Sequence, residues 1–184
     1  MKRHTLVLLS GGIDSSTILA QRVASGAEVS AIFIDYGQAA ARTEWDAAQL
    51  VASHYGVCVR RLQIAANLVS SGGEIFGRNA VLVLLAAATT HKRPLEVAIG
   101  IHALSEYYDT TPLFTRHVTR LLDGYSGGAV ALSAPFLAES KSDIIEAAMK
   151  SGLPFELTYS CETGNAPACR QCPSCLDRRL LDSV

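Results

Sequence analysis

Residues 4–16, with the sequence HTLVLLSGGIDSS, decide the fold that we predict for this chain. Residues 4–9 form a β-rich apolar run, which is typical of a strand buried on both faces. Gly11 and Gly12 then allow the backbone to turn sharply, and the apolar spacing of residues 15–24 predicts a helix. The stretch is therefore a strand, a glycine turn and a helix, which is the unit that α/β proteins repeat.

The same alternation continues along the chain. Apolar runs predict strands at residues 4–9, 29–35, 57–64, 95–101 and 129–132. Apolar spacing predicts helices at residues 15–24, 42–55, 79–91, 112–122 and 141–151, and the last of these carries the capping pattern Ser140-x-x-Asp143. We expect an α/β fold with a doubly wound parallel five-stranded sheet, in the strand order 3-2-1-4-5. Residues 70–73 form a predicted loop. Residues 1–152 form the predicted α/β domain, and residues 153–184 form a predicted irregular C-terminal lobe.

The composition excludes several classes of protein. Hydrophobic residues make up 49% of the 184 residues and charged residues 18%, which is too apolar for an intrinsically disordered chain. The longest apolar run, residues 80–88, is far shorter than the roughly 20 residues of a membrane span, and the N-terminus has no signal-peptide cleavage pattern. With 16 Lys and Arg against 17 Asp and Glu, a nucleic-acid partner is not expected. We therefore expect a cytoplasmic protein that acts on small molecules and does not contact a membrane.

The turn at Ser10-Gly11-Gly12-Ile13-Asp14-Ser15-Ser16 suits phosphate binding. Its glycines let the backbone approach a ligand, and its hydroxyls and helix N-terminal amides attract an anion. An ordinary strand-to-helix turn with a serine or aspartate cap is the alternative. The turn resembles the SGGxDS loop, the PP-loop, of the N-type ATP pyrophosphatases. That resemblance implies that the β and γ phosphates of ATP are held by Ser10, Gly11, Gly12, Asp14, Ser15 and Ser16, with Asp14 also binding Mg²⁺.

Polar residues also follow the second and fourth predicted strands. Asp35-Tyr36-Gly37-Gln38 ends the second strand, and Gly100-Ile101-His102 ends the fourth. Open α/β sheets bind ligands beyond the carboxyl ends of their strands, at the point where the strand order reverses. In the predicted order this point lies between the first and fourth strands, so the Gly100 segment and the phosphate turn would face each other. A plain turn at Asp35 and Gly37 is the alternative.

The cysteines are clustered near the C-terminal end. Cys58 stands alone, whereas the other four follow the pattern Cys161-x₇-Cys169-x₂-Cys172-x₂-Cys175. Four thiolates can form a closed tetrahedral shell around a structural Zn²⁺, which would stabilise a lobe with little core of its own. An iron–sulfur cluster and a C-x-x-C redox pair are the alternatives.

Together, the turn and the cysteines resemble the 7-cyano-7-deazaguanine synthase family, whose members make the nitrile precursor of queuosine and archaeosine. Further matches are Asp35-Tyr36-Gly37-Gln38, Arg78-Asn79, Gly100, Pro135, Ser140-Lys141 and residues 158–161 (TYSC). The resemblance implies an adenine nucleotide alpha hydrolase-like domain, a Cys₄ zinc lobe and a homodimer. It also implies an ATP-dependent ligase that converts 7-carboxy-7-deazaguanine and ammonia to 7-cyano-7-deazaguanine, through an adenylated carboxylate and an amide.

The resemblance also assigns roles to individual residues. Asp14, Lys141 and Arg78 are the predicted catalytic residues, and Asp35 and Gly100 join the predicted ATP site. The residues predicted to bind the heterocyclic substrate are Tyr36, Gln38, Asn79, His102, Tyr108 and Asp109.

Two other functions fit some of these features. Residues 104–111 (LSEYYDTT) lack an arginine that the family carries where it recognises the base, so a paralogue that activates a different carboxylate, on another heterocycle or a peptide terminus, is one alternative. The other is a zinc-bearing tRNA-binding module with an inactive loop, suggested by the local positive charge of Arg170, Arg178 and Arg179.

Overall fold

A parallel sheet of five strands forms the centre of the computed structural model, which describes residues 3–65, 70–71, 74–102 and 107–183. The sheet contains β1 (His4–Leu8), β2 (Val29–Asp35), β3 (Val59–Gln63), β6 (Leu95–Ala98) and β7 (Val130–Ser133). Its strands lie in the order β3-β2-β1-β6-β7, and each neighbouring pair is parallel. Counted along the sheet, this confirms the predicted order 3-2-1-4-5. Two short strands, β4 (Ser70–Ser71) and β5 (Glu74–Ile75), form a separate antiparallel ribbon.

Helices cover both faces of the sheet, as the alternating pattern predicted. They are α1 (Ile13–Ala24), α2 (Ala41–His54), α3 (Arg78–Ala88), α4 (Pro112–Ser126), α5 (Lys141–Lys150) and α6 (Pro173–Arg178). Buried side chains of α3 and α4 share one core cluster with alternate residues of β1, β2 and β6, whereas α1, α2 and α5 share a second cluster with the intervening residues. Because each large buried side chain stabilises the fold by about 1.5–3 kcal/mol, these two clusters hold the sheet and the loops at its carboxyl edge.

Two predicted helices end more than one residue away from the expected position. The helix α4 continues to Ser126, where Gly127 adopts a left-handed φ of 58° that ends it. The helix α3 ends at Ala88, earlier than expected, because the Thr89 hydroxyl and the Arg93 guanidinium hydrogen-bond to its last carbonyl groups. The predicted loop at residues 70–73 is part of the β4–β5 ribbon, with residues 72–73 outside the described residues.

The C-terminal lobe has more regular structure than the sequence predicted. It contains α6 and two 3-10 turns, Phe155–Leu157 and Arg179–Ser183. Pro173 starts α6, a position where the missing N–H of proline costs nothing. Leu153 packs with Ile13 of α1 and Ala148 of α5, so the lobe shares a small core cluster with the α/β domain. The division of the chain at residue 152 stays a prediction.

None of the helices in the described ranges combines the length and apolarity that crossing a lipid bilayer requires.

Candidate active site

The predicted phosphate turn lies between the end of β1 and the first turn of α1. The helix begins at Ile13 with Gly12 as its N-cap, and no side chain caps it. The first N–H groups of α1 therefore point into the turn without a side-chain acceptor, and the helix dipole adds partial positive charge there. This geometry suits an anion such as a phosphate group.

Gly11 occupies a position that excludes any side chain. Its φ is +79°, in the left-handed region. A Cβ built on it would lie 2.7 Å from the Ala48 nitrogen and 2.8 Å from the Glu44 carbonyl oxygen. The backbone of α2 thus packs directly against the turn and fixes its shape.

The serine hydroxyls of the turn differ in their accessibility. Ser10 is exposed at the mouth of the turn, and its Oγ lies 3.1 Å from the Ser15 Oγ and accepts a hydrogen bond from the Gly12 N–H at 3.3 Å. The Ser15 side chain is buried, but its hydroxyl takes part in these contacts with Ser10. Ser16 is fully buried and its hydroxyl has no hydrogen-bond partner in the described structure. Its contact with phosphate stays a prediction.

Two predicted catalytic residues, Asp14 and Lys141, form an ion pair at the turn. The Lys141 Nζ donates to both carboxylate oxygens of Asp14, at 2.9 and 2.8 Å, across 127 residues of sequence. Lys141 is the first residue of α5, whose start is fixed by a capping box between Ser140 and Asp143, as the sequence predicted. The side chains of Lys141 and Asp14 are 20% and 18% exposed, so the pair remains accessible to an incoming ligand.

Gly100 brings the end of β6 against the start of α1. A Cβ on Gly100 would lie 3.1 Å from the Asp14 Cβ and 3.1 Å from the Ser15 nitrogen. A side chain would crowd this contact, which closes one side of the crevice at the point where the strand order reverses. His102 follows on the same segment, with its Nδ1 buried and without a partner in the described structure. The next residues, 103–106, lie outside the described residues.

Asp35, a predicted ATP-binding residue, is engaged with other protein groups. Its carboxylate accepts a hydrogen bond from Arg61 at 2.6 Å and another from the Gly37 N–H at 3.0 Å. The Arg61 guanidinium also lies over the Trp45 ring, 5.7 Å from its centroid. The hydrogen bond from Arg61 holds the pKa of Asp35 below its ordinary value of 3.8, against the opposing effect of burial. In this structure Asp35 fixes the turn after β2, and its contact with ATP stays a prediction.

A second polar group follows the turn after β2 and includes Glu44, which the sequence analysis did not select. The Gln38 amide donates to the Glu44 carboxylate at 2.9 Å and accepts from the Tyr36 N–H at 3.0 Å. The positive charge of Arg78 acts on Tyr36 and on Glu44, which places its guanidinium near both side chains. Burial raises the pKa of Glu44 and also that of Tyr36, which Arg78 partly offsets. The structure therefore brings Tyr36, Gln38 and Arg78 together, as expected for residues that share a binding site.

Asn79 and Asp109, two further predicted substrate residues, hold the start of α3, whereas Tyr108 contacts α4. The Asp109 carboxylate accepts from the Asn79 N–H at 3.1 Å, and the Asn79 amide donates to the Asp109 carbonyl at 3.1 Å. The Tyr108 hydroxyl lies 2.7 Å from the Nδ1 of His117. Asn79 and Asp109 thus act as a pair that places Arg78, the first residue of α3. Their direct contact with a substrate stays a prediction.

The Asp35–Arg61 pair gives a pH-dependent prediction. Because the pKa of Asp35 is lowered in the folded protein, the charged carboxylate stabilises the fold above pH 3.8, and this contribution is lost as the pH falls through the lowered pKa. We expect Asp35→Asn to lower the free energy of unfolding by about 2 kcal/mol at pH 7. The difference from the parent protein should shrink below pH 3.8 in urea unfolding curves.

Glu28→Gln is the matched control for this prediction. The Glu28 carboxylate pairs with Lys92 and also has a lowered pKa, but its side chain is 67% exposed. Exposed pairs contribute little to stability, so we expect the control to resemble the parent protein. Equal losses in both variants would contradict a special role for the buried Asp35 carboxylate.

The four clustered cysteines meet in the C-terminal lobe. The sulfur atoms of Cys161, Cys169, Cys172 and Cys175 all lie within 4.8 Å of one another, and Cys161 and Cys175 are buried. Backbone N–H groups point at these sulfurs, with Cys169 N–H donating to Cys161 at 3.3 Å and Cys172 N–H donating to Cys169 at 3.4 Å. Such donors stabilise thiolates, which are the form of cysteine that binds metal. The group is a candidate metal site.

Loss of one ligand from the cysteine cluster is expected to release its metal. We expect the purified parent protein to carry about one zinc per chain and Cys169→Ser to carry far less, since structural zinc requires a complete shell of four ligands. Cys58→Ser is the control, because Cys58 is exposed and outside the cluster. Elemental analysis by mass spectrometry, with the melting temperature, checks the prediction. Full zinc content in Cys169→Ser would contradict it.

Comparison with known proteins gives a consistent result over nearly the whole chain. A family model described as "Queuosine biosynthesis protein QueC" matches residues 4–74 and 74–180. The curated 7-cyano-7-deazaguanine synthase of Synechococcus elongatus is 32% identical over 210 residues, which cover 97% of this chain and 90% of that protein. The enzyme of the same name from Thermoplasma acidophilum is 32% identical over 207 residues, which cover 96% of this chain and 86% of that protein.

Among solved structures, the fold is shared with the NMN synthetase of Francisella tularensis. The TM-score is 0.53, and the superposition covers 99% of this chain and 77% of that chain at 14% sequence identity. At this identity the likeness concerns the fold alone.

Proposed function

Because the chain belongs to the family of the queuosine biosynthesis protein QueC, we propose that it is an ATP-dependent C–N ligase. It converts 7-carboxy-7-deazaguanine and ammonia to 7-cyano-7-deazaguanine, the reaction that the names of its curated relatives indicate. The observation that carries this proposal is the meeting of Asp14 and Lys141 at the uncapped start of α1, beside Gly100. An anion site next to a mobile positive charge is what activation of a carboxylate by ATP requires.

In the first activation, a carboxylate oxygen of the substrate attacks the α phosphorus of ATP, and pyrophosphate leaves. The N–H groups at the start of α1 and the hydroxyls of Ser10 and Ser15 hold the departing phosphates. Lys141 moves from Asp14 to the pyrophosphate, where negative charge develops. Ammonia then attacks the carbon of the acyl adenylate, and AMP leaves to give the amide.

A second ATP converts the amide to the nitrile. The amide oxygen attacks the α phosphorus, pyrophosphate leaves again, and departure of AMP with loss of both amide protons gives the carbon–nitrogen triple bond. Both oxygen atoms of the original carboxylate therefore depart on AMP. The same phosphate turn serves both rounds, since the leaving group is identical.

The groups after β2 and at the start of α3 form the substrate side of this crevice. Arg78 is placed by the Asn79–Asp109 pair and faces Tyr36, so it can pair with the substrate carboxylate. We assign recognition of the heterocycle to Tyr36, Gln38, Asn79, His102, Tyr108 and Asp109.

Magnesium and zinc both fit the residues present. Bound with ATP, Mg²⁺ would offset the charge of the leaving pyrophosphate, and the Asp14 carboxylate offers the oxygen ligand that it prefers. Sulfurs bound tetrahedrally to one Zn²⁺ lie about 3.8 Å apart, and those of Cys169 and Cys175 are 3.9 Å apart. An iron–sulfur cluster would spread the sulfurs more widely, over separate iron atoms. We therefore propose a structural zinc in a reducing cytoplasm, where free thiols persist.

We also propose that the protein is a homodimer. The helices α3 and α4 lie on the same face of the sheet and expose apolar side chains, with Val81 41%, Leu121 43% and Tyr125 82% exposed. Covering such a face with a second copy would remove these side chains from water. Sedimentation of the purified protein tests this assembly, and a monomer at micromolar concentration would contradict it.

The two other functions considered from the sequence are not favoured. The family match spans the chain from residue 4 to residue 180, and the curated relatives with the synthase name are similar over the same length. A paralogue with another carboxylate and a tRNA-binding module with an inactive loop remain outcomes of the test.

Product analysis by mass spectrometry tests the proposed function. The purified protein is incubated with ATP, Mg²⁺, ammonium and 7-carboxy-7-deazaguanine, while AMP and pyrophosphate are followed. We expect the amide to appear first and the nitrile later, each with release of AMP. An unchanged carboxylate, with ATP still bound, would assign the protein to a different substrate.

A further inference from the structure

The C-terminal lobe touches the phosphate turn directly. The Tyr159 N–H donates to the Gly11 carbonyl at 2.9 Å. A Cβ on Gly12 would lie 3.6 Å from the Tyr159 carbonyl oxygen, so the segment before Cys161 runs along the backbone of the turn. The lobe is therefore a wall of the nucleotide site as well as a candidate metal site.

The lobe also packs against the start of α2. Gly164 has a φ of +72°, and a Cβ there would lie 2.5 Å from the Ala39 carbonyl oxygen. The Thr43 hydroxyl donates to the Gly164 carbonyl at 3.3 Å. Since α2 in turn supports Gly11, the lobe holds the turn from two sides.

A third contact joins the lobe to the predicted catalytic lysine. The Asp177 Oδ2 lies 3.8 Å from the Lys141 Nζ, next to the closer pair with Asp14 at 2.8 Å. Asp177 lies on α6, two residues after Cys175. The Arg178 guanidinium holds this helix by donating to the Thr158 hydroxyl at 2.8 Å and to the Phe155 carbonyl at 2.6 Å. The position of Asp177 is thus fixed by the lobe.

We propose that Asp177 is a positioning residue for Lys141, through which the C-terminal lobe becomes part of the ATP site. This inference rests on the proposed use of ATP. When ATP arrives, Lys141 leaves Asp14 to contact phosphate, and its ammonium group would otherwise be free to turn into solvent. The Asp177 carboxylate attracts the ammonium and keeps it in the crevice, which lowers the entropy cost of ordering a long side chain.

The first test compares Asp177→Asn with a matched control, Asp123→Asn, an exposed carboxylate on α4. We expect Asp177→Asn to weaken binding of a non-hydrolysable ATP analogue by about 2- to 5-fold, the effect of one partly exposed charge pair. The KM for the carboxylate substrate and the melting temperature should stay near those of the parent protein. Asp177→Glu should restore part of the affinity, since its carboxylate remains within range of the lysine. The control should bind the analogue like the parent.

The second test is a double-mutant cycle with Lys141→Met, measured by calorimetry with the same analogue. If Asp177 acts through Lys141, then Asp177→Asn causes no further loss once the lysine is removed. An equal loss in both backgrounds would overturn the inference. A parent protein that binds the analogue but forms no nitrile would refute the proposed substrate and leave this coupling intact, whereas a parent that binds no ATP analogue would overturn both.

Discussion

Lys141→Met is expected to lower kcat/KM for ATP by about 10²- to 10³-fold, the usual loss when a group that stabilises transition-state charge is removed. The Lys141 Nζ lies within 2.9 Å of both Asp14 oxygens and is the positive side chain nearest to the phosphate turn in the described structure. Without it, negative charge on the departing pyrophosphate loses its closest side-chain partner. Initial rates of AMP release at varied ATP concentration measure the effect.

The control for this variant lies on the same helix. Lys150→Met removes a lysine whose side chain is 73% exposed and pairs with Glu146 on the surface of α5. We expect its rate to match that of the parent protein, since exposed pairs of this kind contribute little. If Lys141→Met were as active as Lys150→Met, the assignment of Lys141 to catalysis would be wrong.

Among the variants considered, Gly11→Ala is expected to cause the largest decrease in the free energy of unfolding. The left-handed φ of +79° costs an alanine about 1–2 kcal/mol, and the overlap with the Ala48 nitrogen at 2.7 Å adds about 1–3 kcal/mol. We therefore expect urea unfolding to show a loss of about 3 kcal/mol or more, together with loss of ATP binding.

Gly56→Ala separates the cost of the left-handed backbone from the cost of the steric overlap. Gly56 also has a left-handed φ, of +64°, but a Cβ there would meet nothing within 4 Å. We expect this variant to lose only the conformational part, about 1 kcal/mol, and to bind ATP normally. Similar losses in the two variants would show that α2 does not pack tightly against the turn.

The order of the strands could be predicted from the sequence because the local apolar pattern and the rules for connecting strands favour the same arrangement. Residues 6–9 and 31–34 are apolar without interruption, as expected for strands covered on both faces, and right-handed connections leave few possible orders. The phosphate turn was predictable for the same reason, since its glycines and hydroxyls lie together in the sequence. The capping box at Ser140 and Asp143 is equally local, and the structure contains it.

The partners of the site residues were not predictable from local pattern. Arg61 lies in an edge strand, where a charged side chain normally faces solvent, yet it pairs with the buried Asp35. In the sequence, Glu44 is an ordinary acidic residue in the first turn of a helix. In the structure, it accepts a hydrogen bond from Gln38 beside the crevice. These contacts depend on how α2 and β3 pack on β2, which no short stretch of sequence specifies.

The packing of the C-terminal lobe shows more clearly that local pattern does not predict long-range contacts. The spacing of the cysteines indicated that their sulfurs would meet, and they do. The spacing gave no information on what the lobe packs against. Its contacts with Gly11 and Lys141 join residues far apart in the chain, and they arise from the shared core at Leu153 and from the close approach at Gly164. That placement is the basis of the proposed role of the lobe at Lys141.

The most direct test of the proposed chemistry follows the carboxylate oxygens. The substrate 7-carboxy-7-deazaguanine is labelled with ¹⁸O at both carboxylate positions, and the AMP formed with ammonium and unlabelled ATP is analysed by mass spectrometry. Adenylation of the acid and then of the amide predicts that AMP from both rounds carries one ¹⁸O, while pyrophosphate carries none. Unlabelled AMP, or label in the pyrophosphate, would contradict the account.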